Sequence, residues 1–169
     1  MKITTSSLQK IFTSKSNTKT IVLKDVSLSI EQGEFVAIQG KSGAGKTTLL
    51  SIIGCLDRQT GGDYYIDNNN TMLFTNTDRA KLRNKSFGFV MQDYALINDD
   101  TVMDNIILPA VFAKNSVRNA RKKAEELLKQ FGIHKLSSKK VSGFFCLPPC
   151  LLMVRSRISR GSGTVMPRL

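Results

Sequence analysis

The sequence predicts an α/β fold, on three observations. Residues 35–38, Phe-Val-Ala-Ile, are a short unbroken apolar run, the mark of a strand buried on both faces of a parallel sheet. A glycine-rich loop follows, and residues 46–55 then place Leu49, Leu50, Ile52 and Ile53 at helical spacing. A second helix is legible over residues 117–131, where Ala120, Ala124, Leu127, Leu128 and Phe131 share one face. Strand, glycine loop and helix in that order open an α/β core.

The remaining elements follow in chain order. Residues 2–12 lead into a polar loop at 13–20, and residues 21–30 alternate through Val22, Val26, Leu28 and Ile30, which makes the N-terminal edge β-rich. Turns at 31–34, 60–63 and 67–70 bracket a short strand at 64–66. Residues 78–84 read as a short helix and residues 87–91 as another buried strand. A helix over 104–113 is expected to be interrupted or kinked near Pro109, which has no N–H to donate. For the helix at 117–131, Ser116 can cap the start and Gly132 the end, with Arg121–Glu125 and Glu125–Lys129 as i,i+4 pairs on its exposed side.

Composition narrows the functional classes. With 41% hydrophobic and 22% charged residues, the chain reads as globular rather than disordered. No secretory leader is visible at the N-terminus, and the apolar stretch 141–154 is too short and too proline-rich to cross a membrane. Cys55, Cys146 and Cys150 have neither disulfide-framework nor zinc spacing, so a reducing cytoplasm is the expected compartment. The net charge of +12 suggests nucleic acid until its distribution is followed: residues 1–134 carry 18 Lys/Arg against 13 Asp/Glu, whereas residues 135–169 carry 7 Lys/Arg and no acid. The body is only mildly basic, which suits phosphate ligands, and no direct nucleic-acid partner is expected.

Gly40-Lys41-Ser42-Gly43-Ala44-Gly45-Lys46-Thr47 matches G-x-x-x-x-G-K-[ST] at every fixed position. Four fixed positions coincide by accident in roughly one chain in 200 of this length, and the flanking strand and helix lower that further. The residue types suit a triphosphate. Glycines let the backbone curl around a phosphate and offer it N–H groups, and the helix that follows presents more of them. Lys46 would reach the β- and γ-phosphates, and the Thr47 hydroxyl would ligate Mg²⁺.

Around this loop the chain resembles the ATP-binding subunits of ABC transporters, from about residue 8 to residue 138. Residues 22–34, VLKDVSLSIEQGE, look like that family's second strand and turn. Residues 42–50, SGAGKTTLL, look like its Walker A loop and helix, with Thr48 included in the ATP-binding set. Gly88-Phe89-Val90-Met91-Gln92-Asp93 looks like its Q-loop, and Thr101-Val102-Met103-Asp104-Asn105-Ile106 followed by Leu108-Pro109 like its T-V-x-x-N stretch. The combination is most similar to the lipoprotein-release, macrolide and antimicrobial-peptide exporters.

The resemblance implies a P-loop core of ABC type with ATP and Mg²⁺ as cofactors. Phe12 would stack on adenine, and Gln92 would contact Mg²⁺ and the attacking water. It also implies an organisation: an ATP-binding core over 1–92, a partial helical subdomain over 93–140 that docks on membrane-spanning subunits, and a divergent tail over 141–169. Family members form nucleotide-dependent homodimers and sit peripherally at the inner face of the cell membrane. His134 does not match the family's phosphate-sensing histidine and reads as a surface residue.

Past residue 140 the resemblance breaks. Val141-Ser142-Gly143 can be the start of the family's L-S-G-G signature or residues just before it, and the sequence from Phe144 onward is unrelated. No Asp or Glu follows Glu126, so the acidic pair that anchors Mg²⁺ and activates water has no counterpart downstream. Two readings therefore stand together: a truncated or frameshifted exporter ATPase, or a non-catalytic nucleotide-binding module. An anchor built from residues 151–154 with Arg155, Arg157 and Arg160, and an unrelated P-loop kinase, are the further alternatives. The prolines argue against the anchor, and Gln92 with the 101–109 stretch argues against the kinase.

Overall fold

The computed structural model describes residues 1–90 and 95–144, with side chains through residue 142. They form two compact units, one ending at Asn76 and the other beginning at Thr77.

The first unit is built on an antiparallel sheet. Strand β1 (Ile3–Thr13) turns through Asn17, at φ +60°, into β2 (Lys19–Ile30), with Ile3 opposite Ile30 and Phe12 opposite Thr20. On the other side of β1 lies β3 (Gly61–Ile66), which turns into the two-residue β4 (Asn69–Asn70), giving the order β2-β1-β3-β4. Helix α1 (Lys46–Ile53) buries Leu49, Ile52 and Ile53, and the sheet buries Ile3, Leu8, Leu23, Tyr64 and Ile66. At roughly 1.5–3 kcal/mol for each large apolar side chain withdrawn from water, these residues are the unit's main stabilising term. Tyr64 is fully buried, and its hydroxyl donates to the Ile53 carbonyl, so a buried polar tip also ties the end of α1 to β3.

The second unit is a helical hairpin. Helix α2 (Asn76–Ser86) leads into it from the boundary. Helices α3 (Val102–Phe112) and α4 (Val117–Gln130) bury Met103 and Ile107 against Ala120, Ala124 and Leu128, flanked by Val102, Ile106, Ala110 and Ile133. The buried seam of α4 is narrower than its sequence suggests. Leu127 and Phe131, expected on the same face, stay 38% and 52% exposed because the contact with α3 follows the i, i+4, i+8 ridge 120–124–128.

Several local expectations are corrected. Residues 35–38 and 87–90 form no strand, and Phe35 is 92% and Val90 81% exposed. A short apolar run becomes a strand only when neighbouring strands complete its hydrogen-bond ladder, and neither run has such a neighbour among the described residues. The expected strand at 87–91 also reaches Met91, which lies outside the described residues. Pro109 does not interrupt α3, which continues to Phe112. Ser116 precedes α4 without a capping hydrogen bond from its side chain. Arg121 reaches across to Asp104 of α3, at 3.6 Å. Gly132 does end α4: at φ +71° it donates to Lys129 O at 3.0 Å while Ile133 donates to Leu128 O at 2.9 Å, the paired bonds of a Schellman cap.

No atom lies within 4 Å of where a Cβ on Gly132 would sit, so Gly132→Ala tests backbone conformation alone. The substitution is expected to destabilise the helical hairpin by about 1–2 kcal/mol, read as a lower urea midpoint by circular dichroism on the full chain. An unchanged midpoint would mean that the left-handed cap contributes nothing.

Candidate functional site

The loop at residues 40–47 is shaped by two left-handed glycines, Gly43 at φ +80° and Gly45 at φ +85°. Ala44 N–H donates to Lys41 O at 3.2 Å, which closes the loop on itself. Gly45 is also the N-cap of α1, and no side chain caps this helix. The first helical bond is Leu49 N–H to Gly45 O at 2.8 Å, so the amides of Lys46, Thr47 and Thr48 precede the ladder. Together with the helix dipole, these donors make the turn a receptor for an anion.

The Lys46 ammonium lies across the loop, donating to Gly40 O and to Lys41 O, both at 2.8 Å. Both acceptors are neutral carbonyls, which a phosphate oxygen outcompetes for an ammonium because the charge-assisted bond is stronger. Lys41, Ser42, Gly43, Ala44 and Thr47 are exposed, so the loop faces solvent.

The loop is seated on the sheet at one point. Opposite Lys10 and Ile11 of β1 stand Leu23 and Ile21 of β2, which leaves Val22 as the extra residue of a bulge. Gly45 packs there: a Cβ on it would lie 2.8 Å from Val22 O and 2.8 Å from Leu23 Cδ2. A bulge in the edge strand thus makes room for the turn that starts the helix.

Phe12 lies on β1 two residues beyond Lys10, at the same end of the sheet as this seat, and is 45% exposed. The Lys10 ammonium sits 4.8 Å from its ring centroid. Phe12 and the loop residues from Gly40 to Thr48 therefore belong to one unit and are linked through β2. Gln92 lies outside the described residues, as do Cys146 and Cys150. His134 is exposed, in keeping with a surface role.

Two features escaped the sequence reading. One is the half-buried ion pair between Lys10 and Asp57, at 2.7 Å; a lysine and an aspartate 47 residues apart carry no local signal. The other is the purpose of the 101–106 stretch. Thr101 caps α3 through its hydroxyl, which accepts from Asp104 N–H and donates to the Asp104 carboxylate. Asn105 clamps the preceding loop by accepting from Ile97 N–H and donating to Ile97 O and Thr101 O. Among the described residues no helix is long and apolar enough to cross a membrane, and no cluster of side chains could hold a metal by itself.

Comparison with known proteins gives a consistent setting. A protein-family model described as ABC transporter matches residues 23–146. The macrolide export ATP-binding/permease protein MacB of Aggregatibacter actinomycetemcomitans is 47% identical over 112 residues, a match covering 66% of this chain and 17% of that protein. MacB of Psychrobacter arcticus is 43% identical over 120 residues, covering 70% of this chain and 18% of the relative. The chain thus spans less than a fifth of the length of these curated relatives. Among solved structures, a dimeric ATP-binding cassette in a post-hydrolysis state, bound to ADP and Pi, superimposes with a TM-score of 0.72 at 37% identity. That match covers 82% of this chain and 61% of the other.

The two glycines of the loop should respond differently to substitution. Gly43→Ala meets no atom within 4 Å and carries only the cost of its left-handed backbone, about 1–2 kcal/mol. Gly45→Ala adds a collision with the Val22 carbonyl, so its melting temperature should fall clearly below that of Gly43→Ala. Equal melting temperatures would show that the loop is not seated on the bulge.

Proposed function

The chain belongs to the ABC transporter family, and from that premise we propose that it is the nucleotide-binding part of an exporter, gripping Mg-ATP through the loop at residues 40–47. The observation that carries the reading is the convergence of a glycine-shaped turn, an uncapped helix start and the Lys46 ammonium on one concave turn. In this reading Gly40, Lys41 and Ser42 shape the loop, and Gly43, Ala44 and Gly45, with the first amides of α1, supply the backbone donors around the β-phosphate. Lys46 exchanges its two carbonyls for phosphate oxygens, and Thr48 completes the helix start.

The donor chemistry suits a hard cation. Mg²⁺ takes oxygen ligands and keeps several from water and phosphate, so Thr47, an exposed hydroxyl in the first turn of α1, is a fitting protein ligand. When bound, Mg²⁺ neutralises charge on the phosphates. Gln92 is assigned the second contact, to Mg²⁺ and the attacking water, and Phe12 the stack on adenine. Residues 93–140 are assigned to docking on membrane-spanning subunits, which would hold the chain at the inner membrane face. Pairing of two copies on nucleotide follows the dimeric form of the solved relative.

A second reading is favoured by one observation: residues 127–169 contain neither Asp nor Glu. The carboxylates that anchor Mg²⁺ and activate water in the family have no counterpart there, and in this reading residues 1–169 bind nucleotide through the loop at 40–47 without turning it over.

Two measurements test these readings. Lys46→Ala should weaken binding of a fluorescent ATP analogue by about 2–4 kcal/mol, from loss of charge-assisted contacts. Equal affinity for wild type and variant would remove the phosphate-loop assignment. ATP turnover by the purified chain should lie near background, because general-base and electrostatic contributions typically carry factors of about 10² to 10⁴ each. Lys46-dependent turnover of about 1 s⁻¹, ordinary for an enzyme, would overturn the second reading.

A further inference from the structure

Lys10 is only 7% exposed, and lysines are almost never buried unless paired. Its position on β1 gives no packing reason for a charge, since an unbranched apolar side chain would fill the same space without the cost of desolvating an ammonium. Three groups surround the head: Asp57 Oδ1 and Arg58 O each accept a hydrogen bond at 2.7 Å, and the Phe12 ring centroid lies 4.8 Å away.

Two of these contacts lead to elements of the candidate site. Phe12 stands beside Lys10 on the same face of β1, as residues two apart on a strand do. Asp57 is fastened to α1, because its own N–H donates to Ser51 O at 3.1 Å and the neighbouring Leu56 N–H donates to the same oxygen at 2.8 Å. Ser51 lies one turn beyond Thr47 on the helix that the loop opens. A continuous path therefore runs from the Phe12 ring through the Lys10 ammonium and Asp57 to the phosphate-loop helix.

Resting on the reading of Phe12 as the base-stacking aromatic, we propose that Lys10 is a positioning residue for the base. Its ammonium holds the Phe12 ring at a fixed place relative to α1, so that a purine stacks on the ring while the loop holds the phosphates. The cation also draws the ring's π-density toward one face, which leaves the other better matched to an electron-rich purine. The ion pair stays in place throughout, and no proton moves. The ligand class that gains is nucleotides with a purine base; a bare polyphosphate gains nothing from Lys10.

That split supplies the test. Binding of Mg-ATP and of Mg-tripolyphosphate to the full chain is compared for wild type, Lys10→Met, Phe12→Ala and the double variant. Lys10→Met should weaken ATP about three- to tenfold, the range of a lost aromatic contact, and leave tripolyphosphate unchanged. Phe12→Ala should act in the same way, and the double variant should be no worse than the more damaging single one, because Lys10 acts through the ring. Asp57→Asn, which keeps the shape and loses the charge, should show a smaller loss with the same selectivity for ATP, and it serves where Lys10→Met does not fold. Equal losses for both ligands, no loss for either, or additive losses in the double variant would each overturn the proposal. Failure of the wild type to bind tripolyphosphate would instead remove the phosphate-loop reading itself.

Discussion

The geometry of the first unit depends on one contact, the seating of Gly45 against the Val22 bulge. At that point a left-handed backbone, the start of α1 and the edge strand β2 occupy a space with no room for a Cβ. The turn fixes the direction of the helix, and the helix fixes where its free amides point. The bulge is the other half of the same constraint. A regular ladder would hold Val22 against β1, whereas the extra residue lets β2 bend around the glycine.

From that seat, two sets of interactions spread in opposite directions. Toward solvent, Lys46 bridges the Gly40 and Lys41 carbonyls and keeps the loop curled, so a phosphate bound as proposed would meet donors already in place and order little new backbone. Toward the sheet, α1 is held by its buried face, by Tyr64 at its end and by the 54–60 segment that Lys10 anchors. The charge on Lys10 costs free energy to bury, and the two hydrogen bonds and the ring offset that cost only in this arrangement.

Legibility in the sequence followed the range of the interactions. The β1–β2 hairpin, β3, α1 and α4 were readable because each is set by local periodicity and by turn residues such as Gly132. The loop was readable for a related reason: its glycines answer to backbone shape, so eight consecutive residues carry the whole signal. Residues 35–38 and 87–90 show the limit. An apolar run specifies burial, and whether it becomes a strand depends on partners elsewhere in the chain. The Lys10–Asp57 pair was invisible because it joins residues distant in sequence. Thr101 and Asn105 were matched as a pattern and explained only by their hydrogen bonds, a cap and a loop clamp. Gln92 lies outside the described residues, and its proposed role rests on resemblance alone.

Membership of the ABC transporter family fits the role proposed for these features, since a bound phosphate gains from preformed amide donors at a helix start. The central claim is that the phosphates are held by the backbone of residues 43–48 rather than by side chains alone. Amide hydrogen exchange on the full chain, followed with and without Mg-ATP, tests this most directly. Slower exchange concentrated in residues 43–48 is the predicted result. An unchanged rate at those amides, under conditions where ATP is bound, would contradict the account.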